Sequence, residues 1–139
     1  MFVQDIAEFL IANGFGELRK NIFYERMPEK SGVADNAIAV IGTPSTAYNR
    51  ELNSIDYTCQ IRVRNLDTQE GERIAYEIYK LIYNTDKEIT VPSGKRFIVR
   101  PTNPPYLIDM DTAFRYIYMI NIICLSDMYW KELNNYGND

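Results

Sequence analysis
Apolar and polar residues alternate over ten positions near the middle of the chain. Ile55, Tyr57, Cys59, Ile61 and Val63 are interleaved with Asp56, Thr58, Gln60, Arg62 and Arg64. A period of two places one set on a buried sheet face and the other on a wet one, so this stretch is expected to be a strand. Asp67 follows it, with Glu70 three residues on, in the pattern of a helix cap whose acidic partner reaches back to an unpaired backbone N–H. The period then changes. Ile74, Ile78, Leu81 and Ile82 line one helical face, with Ala75 and Tyr79 at its margin, while Glu72, Arg73, Glu77 and Lys80 fall opposite, which predicts a helix ending near Asn84.

The flanking segments divide in the same way. Phe2 to Asn13 repeats its apolar residues at helical spacing (Phe2, Ile6, Phe9; Val3, Ala7, Leu10) and meets Gly14, where a left-handed residue closes a helix. Asn21 to Met27 is aromatic and branched and stops at Pro28, which predicts a strand. The polar stretch PEKSGVADN, Pro28 to Asn36, is a loop, and AIAVIGT, Ala37 to Thr43, is a buried central strand. Pro44 to Ser54 has no period and is expected to be an exposed arm. Ile89 to Val91 and Phe97 to Arg100 flank Pro92-Ser93-Gly94-Lys95 as a hairpin, and the prolines within Pro101 to Pro105 stiffen an extended loop. Ala113 to Leu125 is the last strand, with Phe114, Tyr116, Tyr118, Ile120, Ile122 and Cys124 facing one way and a mixed set, from Arg115 to Leu125, facing the other. The expected fold is α+β: a mostly antiparallel sheet packed against two helices, in the order helix-strand-strand-strand-helix-strand-strand-strand. One domain over residues 1–139 is expected, with residues 134–139 a frayed tail.

Composition narrows the chemistry. The chain of 139 residues has His 0, which excludes Ser-His and Cys-His nucleophiles and the commonest zinc ligand sets. Lys+Arg 15 against Asp+Glu 19 leaves a net charge of −4, so the molecule lacks the basic field of a protein that grips nucleic acid. No apolar run is long enough to cross a bilayer, and Asp5 and Glu8 interrupt the start where a signal peptide would be apolar. Cys59 and Cys124 sit inside apolar strands and are expected to be reduced core thiols, as in a cytosolic or virion setting.

Several residues invite a chemical reading beside a structural one. Asp109 and Asp111, at i and i+2, are a minimal carboxylate pair for a divalent cation or acid-base work, incomplete without further acids; a solvated strand edge is the more ordinary reading. Arg62, Arg64, Lys95, Arg96 and Arg100 match phosphate chemistry, but exposed sheet arginines also serve solubility and ion pairing. Gly14-Phe15-Gly16 and Ser93-Gly94-Lys95 lack a phosphate loop's context and are turns. Tyr76, Tyr79, Tyr83, Tyr116 and Tyr118 are spaced for core margins and interfaces more than for base stacking.

The stretch from Ile55 to Tyr83, IDYTCQIRVRNLDTQEGERIAYEIYKLIY, joins an alternating strand, a short Asp-containing turn and an amphipathic helix, and it resembles the tail terminator proteins of long-tailed bacteriophages. These are also labelled minor capsid or tail-completion proteins. AIAVIGT, the arm PSTAYNREL and the late strand after a proline-rich turn extend the resemblance over most of the chain. It implies a non-enzymatic virion subunit, without cofactor or metal, that forms a homohexameric ring at the head-proximal end of the tail. Its partners would be further copies of itself, the tail tube protein and the head-tail connector or neck protein. DNA would pass through without specific binding, no membrane would be involved, and assembly would take place in the host bacterial cytoplasm. Tyr48, Asn49, Arg50, Glu51 and Leu52 of the arm, with Arg62 and Arg64, are expected at contacts between subunits or with the tube. The alternatives are a head-completion or neck protein, a carboxylate-dependent metal enzyme using Asp109 and Asp111, and a cytosolic adaptor binding through its tyrosines.

Overall fold
The computed structural model describes residues 2–43, 48–49, 54–83, 89–92, 94 and 96–126. Their order is α1 (Phe2–Ala12), β1 (Ile22–Tyr24), β2 (Ala37–Thr43), β3 (Tyr48–Asn49), β4 (Ser54–Asn65), α2 (Thr68–Tyr83), β5 (Ile89–Thr90), β6 (Arg96–Pro101), β7 (Tyr106–Met110) and β8 (Tyr116–Ser126). The fold is α+β, as expected, with two helices and a mostly antiparallel sheet. Its strands run β1-β2-β4-β8-β6-β5, with β3 beside β4 and β7 beside β8; among the described strands only β1 and β2 pair in parallel.

Register explains which face is buried. Ile38, Val63 and Tyr118 lie abreast on β2, β4 and β8, as do Val40, Ile61 and Ile120, and then Gly42, Cys59 and Ile122. Gly42 apart, these rows form one core with Phe2, Ile6, Phe9 and Leu10 of α1 and Ala75, Ile78 and Ile82 of α2, so both helices cover the same sheet face. The alternation from Tyr57 to Val63 therefore reads the core face correctly. Cys59 is a buried thiol outside any disulfide among the described residues; the side chain of Cys124 lies outside the described residues.

Helix ends follow their caps. The N–H of Phe15 donates to Leu10 O at 3.1 Å and that of Gly14 to Ile11 O at 3.0 Å, with Gly14 at φ 84°, so the expected left-handed glycine closes α1. Asp67 caps α2 by accepting from the N–H of Gln69 at 2.9 Å. Glu70 does not reach back; its carboxylate is taken by Arg73, a stronger partner one turn on. The buried stripe of α2 is Gly71, Ala75, Ile78 and Ile82, which moves Ile74 and Leu81 to the margin. Small residues at 71 and 75 let the helix settle close to the sheet: a Cβ on Gly71 would lie 3.1 Å from Asn65 Cβ and 3.5 Å from the Tyr118 ring.

Three departures lie in the strands. The arm contains β3, where Tyr48 and Asn49 pair with Ile55 and Ser54; its residues 44–47 and 50–53 lie outside the described residues, as does the tail 134–139. The region after the proline-rich loop is strand β7, exposed along most of its length, so it carries no burial alternation to detect. The last strand begins at Tyr116 and not at Ala113. Phe114 sits in the preceding turn at φ 59° and is 71% exposed, off the apolar face expected for it.

Candidate assembly face
The sheet face opposite the helices carries the residues between those of the core. Ala37, Arg64 and Ile117 lie abreast, and beside them Ala39, Arg62 and Met119. The segment from Pro28 to Asp35 folds over one end of this face, because two arginines beneath it bind its carbonyls. Arg64 donates to Pro28 O through Nη1, and through Nη2 to Ala34 O at 2.5 Å and Val33 O at 3.3 Å. Arg115 donates to Glu29 O at 2.6 Å and Lys30 O at 3.1 Å, and pairs with Asp35 at 3.2 Å and Asp111 at 2.7 Å. A planar guanidinium with five donors suits such a task, since the carbonyls of an irregular loop need partners once they are covered.

Burial corrects the expectation for Arg64. It was expected to be wet, yet it is 2% exposed and lies under the loop that its own hydrogen bonds hold. Burial and the neighbouring Arg115 charge push Arg64 below the usual arginine range, against the opposing pull of Asp111 and Asp35. Arg115, at 1% exposure, was placed on the mixed face of a strand; it anchors the β7–β8 turn. Asp111 accepts from the N–H groups of Ala113 and Arg115, both at 3.0 Å, and from the Arg115 guanidinium. Burial raises its pKa, but the Arg115 N–H, the Arg115 guanidinium and the Ala113 N–H together outweigh this and hold the carboxyl below its ordinary value.

Beyond the covered end lies an open groove of about 600 Å³, whose lining includes Arg26, Met27, Ile41, Arg62, Asp109 and Ile117. Arg62 lines it with Nε and Nη2 both on Gln60 Oε1, at 3.2 and 2.9 Å, so its guanidinium lies along its own strand. Tyr48 and Asn49 are held by backbone pairing to β4, whereas Arg50, Glu51 and Leu52 fall outside the described residues.

The other chemical readings separate here. The carboxylate of Asp111 is occupied by its turn, Asp109 accepts from the N–H of Met110 at 2.7 Å, and no cluster of metal-ligating side chains occurs among the described residues. Arg100 is exposed at the surface. Tyr118 is buried with its hydroxyl 2.8 Å from Thr68 Oγ1, while Tyr76, Tyr79 and Tyr83 form a ladder along α2, with ring centroids 6.3 and 5.6 Å apart. The site residues that periodicity missed are Arg115 and Phe114. A lone arginine beginning an apolar strand was a usable signal for the first; nothing local marks the second, since its conformation depends on the turn that Arg115 holds.

An α+β subunit with one face sealed by helices, one face grooved, and apolar side chains held out at a sheet edge has the make-up of a protein that works by packing against others. The chain belongs to the bacteriophage tail terminator family, whose sequence model, described as bacteriophage tail terminator protein, matches residues 9–127. It is a structural component of the phage tail, and its family membership implies contacts with other tail and head proteins. No curated protein matches the chain.

Proposed function
We propose that six copies of the chain close into a ring that caps the tail tube at its head-proximal end, stops tube growth and presents the surface on which the head connector docks. In this role the chain is the minor capsid or tail-completion subunit, assembled in the host cytoplasm. The observation that carries the reading is the inequality of the sheet's two faces: α1 and α2 seal one, and the other is open and grooved beside a pinned loop. A subunit joining a tube on one side and a head on the other needs two different surfaces, and repeating one unlike contact around an axis closes a ring.

The contacts assigned to this ring are the arm, Tyr48 to Leu52, and Arg62, meeting a neighbouring subunit or the tube. Arg64 serves them indirectly by holding the Pro28–Asp35 loop. The net charge of −4 suits a lumen through which DNA slides without specific binding. The test is to mix purified protein with tail tubes and, separately, with portal rings. Six-fold rings on tube ends, with tubes of uniform length, are expected; binding to portal rings alone would assign a neck or head-completion role instead. Arg62→Glu should abolish capping with the thermal midpoint unchanged, and unchanged capping removes Arg62 from the interface.

A further inference from the structure
We propose that neighbouring copies join through opposite margins of the sheet, with Phe114 and the exposed side of β7 on one copy seated in the concavity beside β1 on the next. This contact rests on the ring reading and specifies how it is made. Phe114 is a large aromatic held in the left-handed region, at φ 59°, and 71% exposed. Bulky side chains rarely adopt that conformation without constraint. The constraint is visible: the N–H of Phe114 donates to Asp111 O at 3.0 Å, the N–H of Asp111 donates to Arg115 O at 3.0 Å, and Arg115 is buried and paired. The turn thus holds an unburied phenyl ring in place, an arrangement that the fold of one copy has no use for. Beside it Tyr106, Leu107 and Met110 are exposed on β7, which pairs only with β8 among the described strands. An exposed apolar edge with free backbone groups is a template for another chain.

The opposite margin supplies a complement. A concavity of about 410 Å³ is lined by Leu18, Phe23, Tyr24 and Pro28, with Arg19 and Arg26 as its charged residues. Apolar walls suit a phenyl ring, and Arg19 suits Asp109 of the next copy, which is exposed on β7 and carries the opposite charge; Arg26 also lines the groove that Asp109 of its own copy lines. Position agrees as well. β1 lies beyond β2 on one side of the sheet and β7 beyond β8 on the other, and Ile22, Ile38, Val63 and Tyr118 form a row that reaches Leu107 of β7. Knob and socket therefore lie at opposite margins of the same strand rows. A two-fold dimer built on either patch alone would leave the other uncovered, whereas a head-to-tail contact covers both in every copy of a closed ring.

The experiment uses the full chain, with mass photometry and negative-stain imaging of wild type, Phe114→Gly and Leu18→Glu, each alone and on tail tubes. Each variant alone is expected to remain monomeric at concentrations at least tenfold above those at which wild type forms rings. Phe114→Gly should keep a thermal midpoint equal to or above that of wild type, since glycine accepts the left-handed conformation. Phe114→Gly retains the socket and Leu18→Glu retains the knob, so mixing them should yield heterodimers that grow no further. Wild-type rings accompanied by unaltered Phe114→Gly rings overturn this contact and leave the ring reading standing. A wild-type chain that stays monomeric at every concentration, free and on tubes, overturns both.

Discussion
Replacing Arg115 with methionine removes a buried guanidinium while nearly preserving side-chain volume, so the response measures hydrogen bonding and charge more than cavity formation. Four side-chain bonds go: to Asp111 at 2.7 Å, Asp35 at 3.2 Å, Glu29 O at 2.6 Å and Lys30 O at 3.1 Å. Deleting one partner of a buried pair costs about 3–5 kcal/mol, because the other is left uncompensated. Two features favour the lower end here. The side chains of Asp111 and Asp35 are 23% and 31% exposed and can rehydrate, and Arg64 loses a like-charged neighbour. A loss of about 3 kcal/mol follows, which for a domain of this size lowers the thermal midpoint by roughly 9–15 °C. Calorimetry or circular dichroism reads the midpoint. Limited trypsin digestion reads the loop, since Lys30 lies in the segment that Arg115 holds and should be cleaved faster in the variant. Arg115→Lys keeps the charge without the fork and should fall nearer to the methionine variant than to wild type. A midpoint within about 3 °C of wild type, together with unchanged cleavage at Lys30, would refute the view that this residue pins the loop.

Other expectations follow from single positions. Phe114→Gly relieves about 1–2 kcal/mol of left-handed strain and loses about 0.5–1 kcal/mol to glycine's greater freedom when unfolded, so urea unfolding should show stability unchanged or up to about 1.5 kcal/mol higher. A clear loss would mean that the ring packs on its own copy. Gly71→Val should cost about 1–3 kcal/mol in the same assay, since its Cβ alone would stand 3.1 Å from Asn65 Cβ; wild-type stability would show α2 to be more loosely seated. Asp111 has a depressed pKa in the fold, so the unfolded chain binds more protons between the folded value and the ordinary value of about 3.9. Its stabilisation is complete above that ordinary value and is lost as pH falls through the folded one. Denaturation titrated from pH 5 downward should therefore be steeper in wild type than in Asp111→Asn, and parallel curves would contradict the assignment.

Much of the architecture was legible where burial writes a period. Ile55 to Arg64 alternates because β4 is central, with its neighbours β2 and β8 covering its edges and helices covering one face. The α2 face was found within one position, although its true stripe turns on Gly71 and Ala75, which apolar counting undervalues because their contribution is closeness of approach. β7 was illegible for the converse reason: an exposed edge strand has no inside and outside to alternate. The tail terminator resemblance, carried by residues 55 to 83, is upheld by a family match over residues 9–127.

Local pattern alone was enough to establish the α+β class, the helix ends at Gly14 and Asp67 and the identity of the core face, because each depends on residues near in sequence or on a repeated period. Folding in three dimensions settled the fate of Arg64 and Arg115, whose partners in the Pro28–Asp35 loop lie 30 to 36 and 80 to 86 residues away. A wet arginine and a buried one look alike along the chain. What separates them is whether a distant loop arrives with carbonyls in need of donors, and that same arrival builds the turn that holds Phe114 out in solvent.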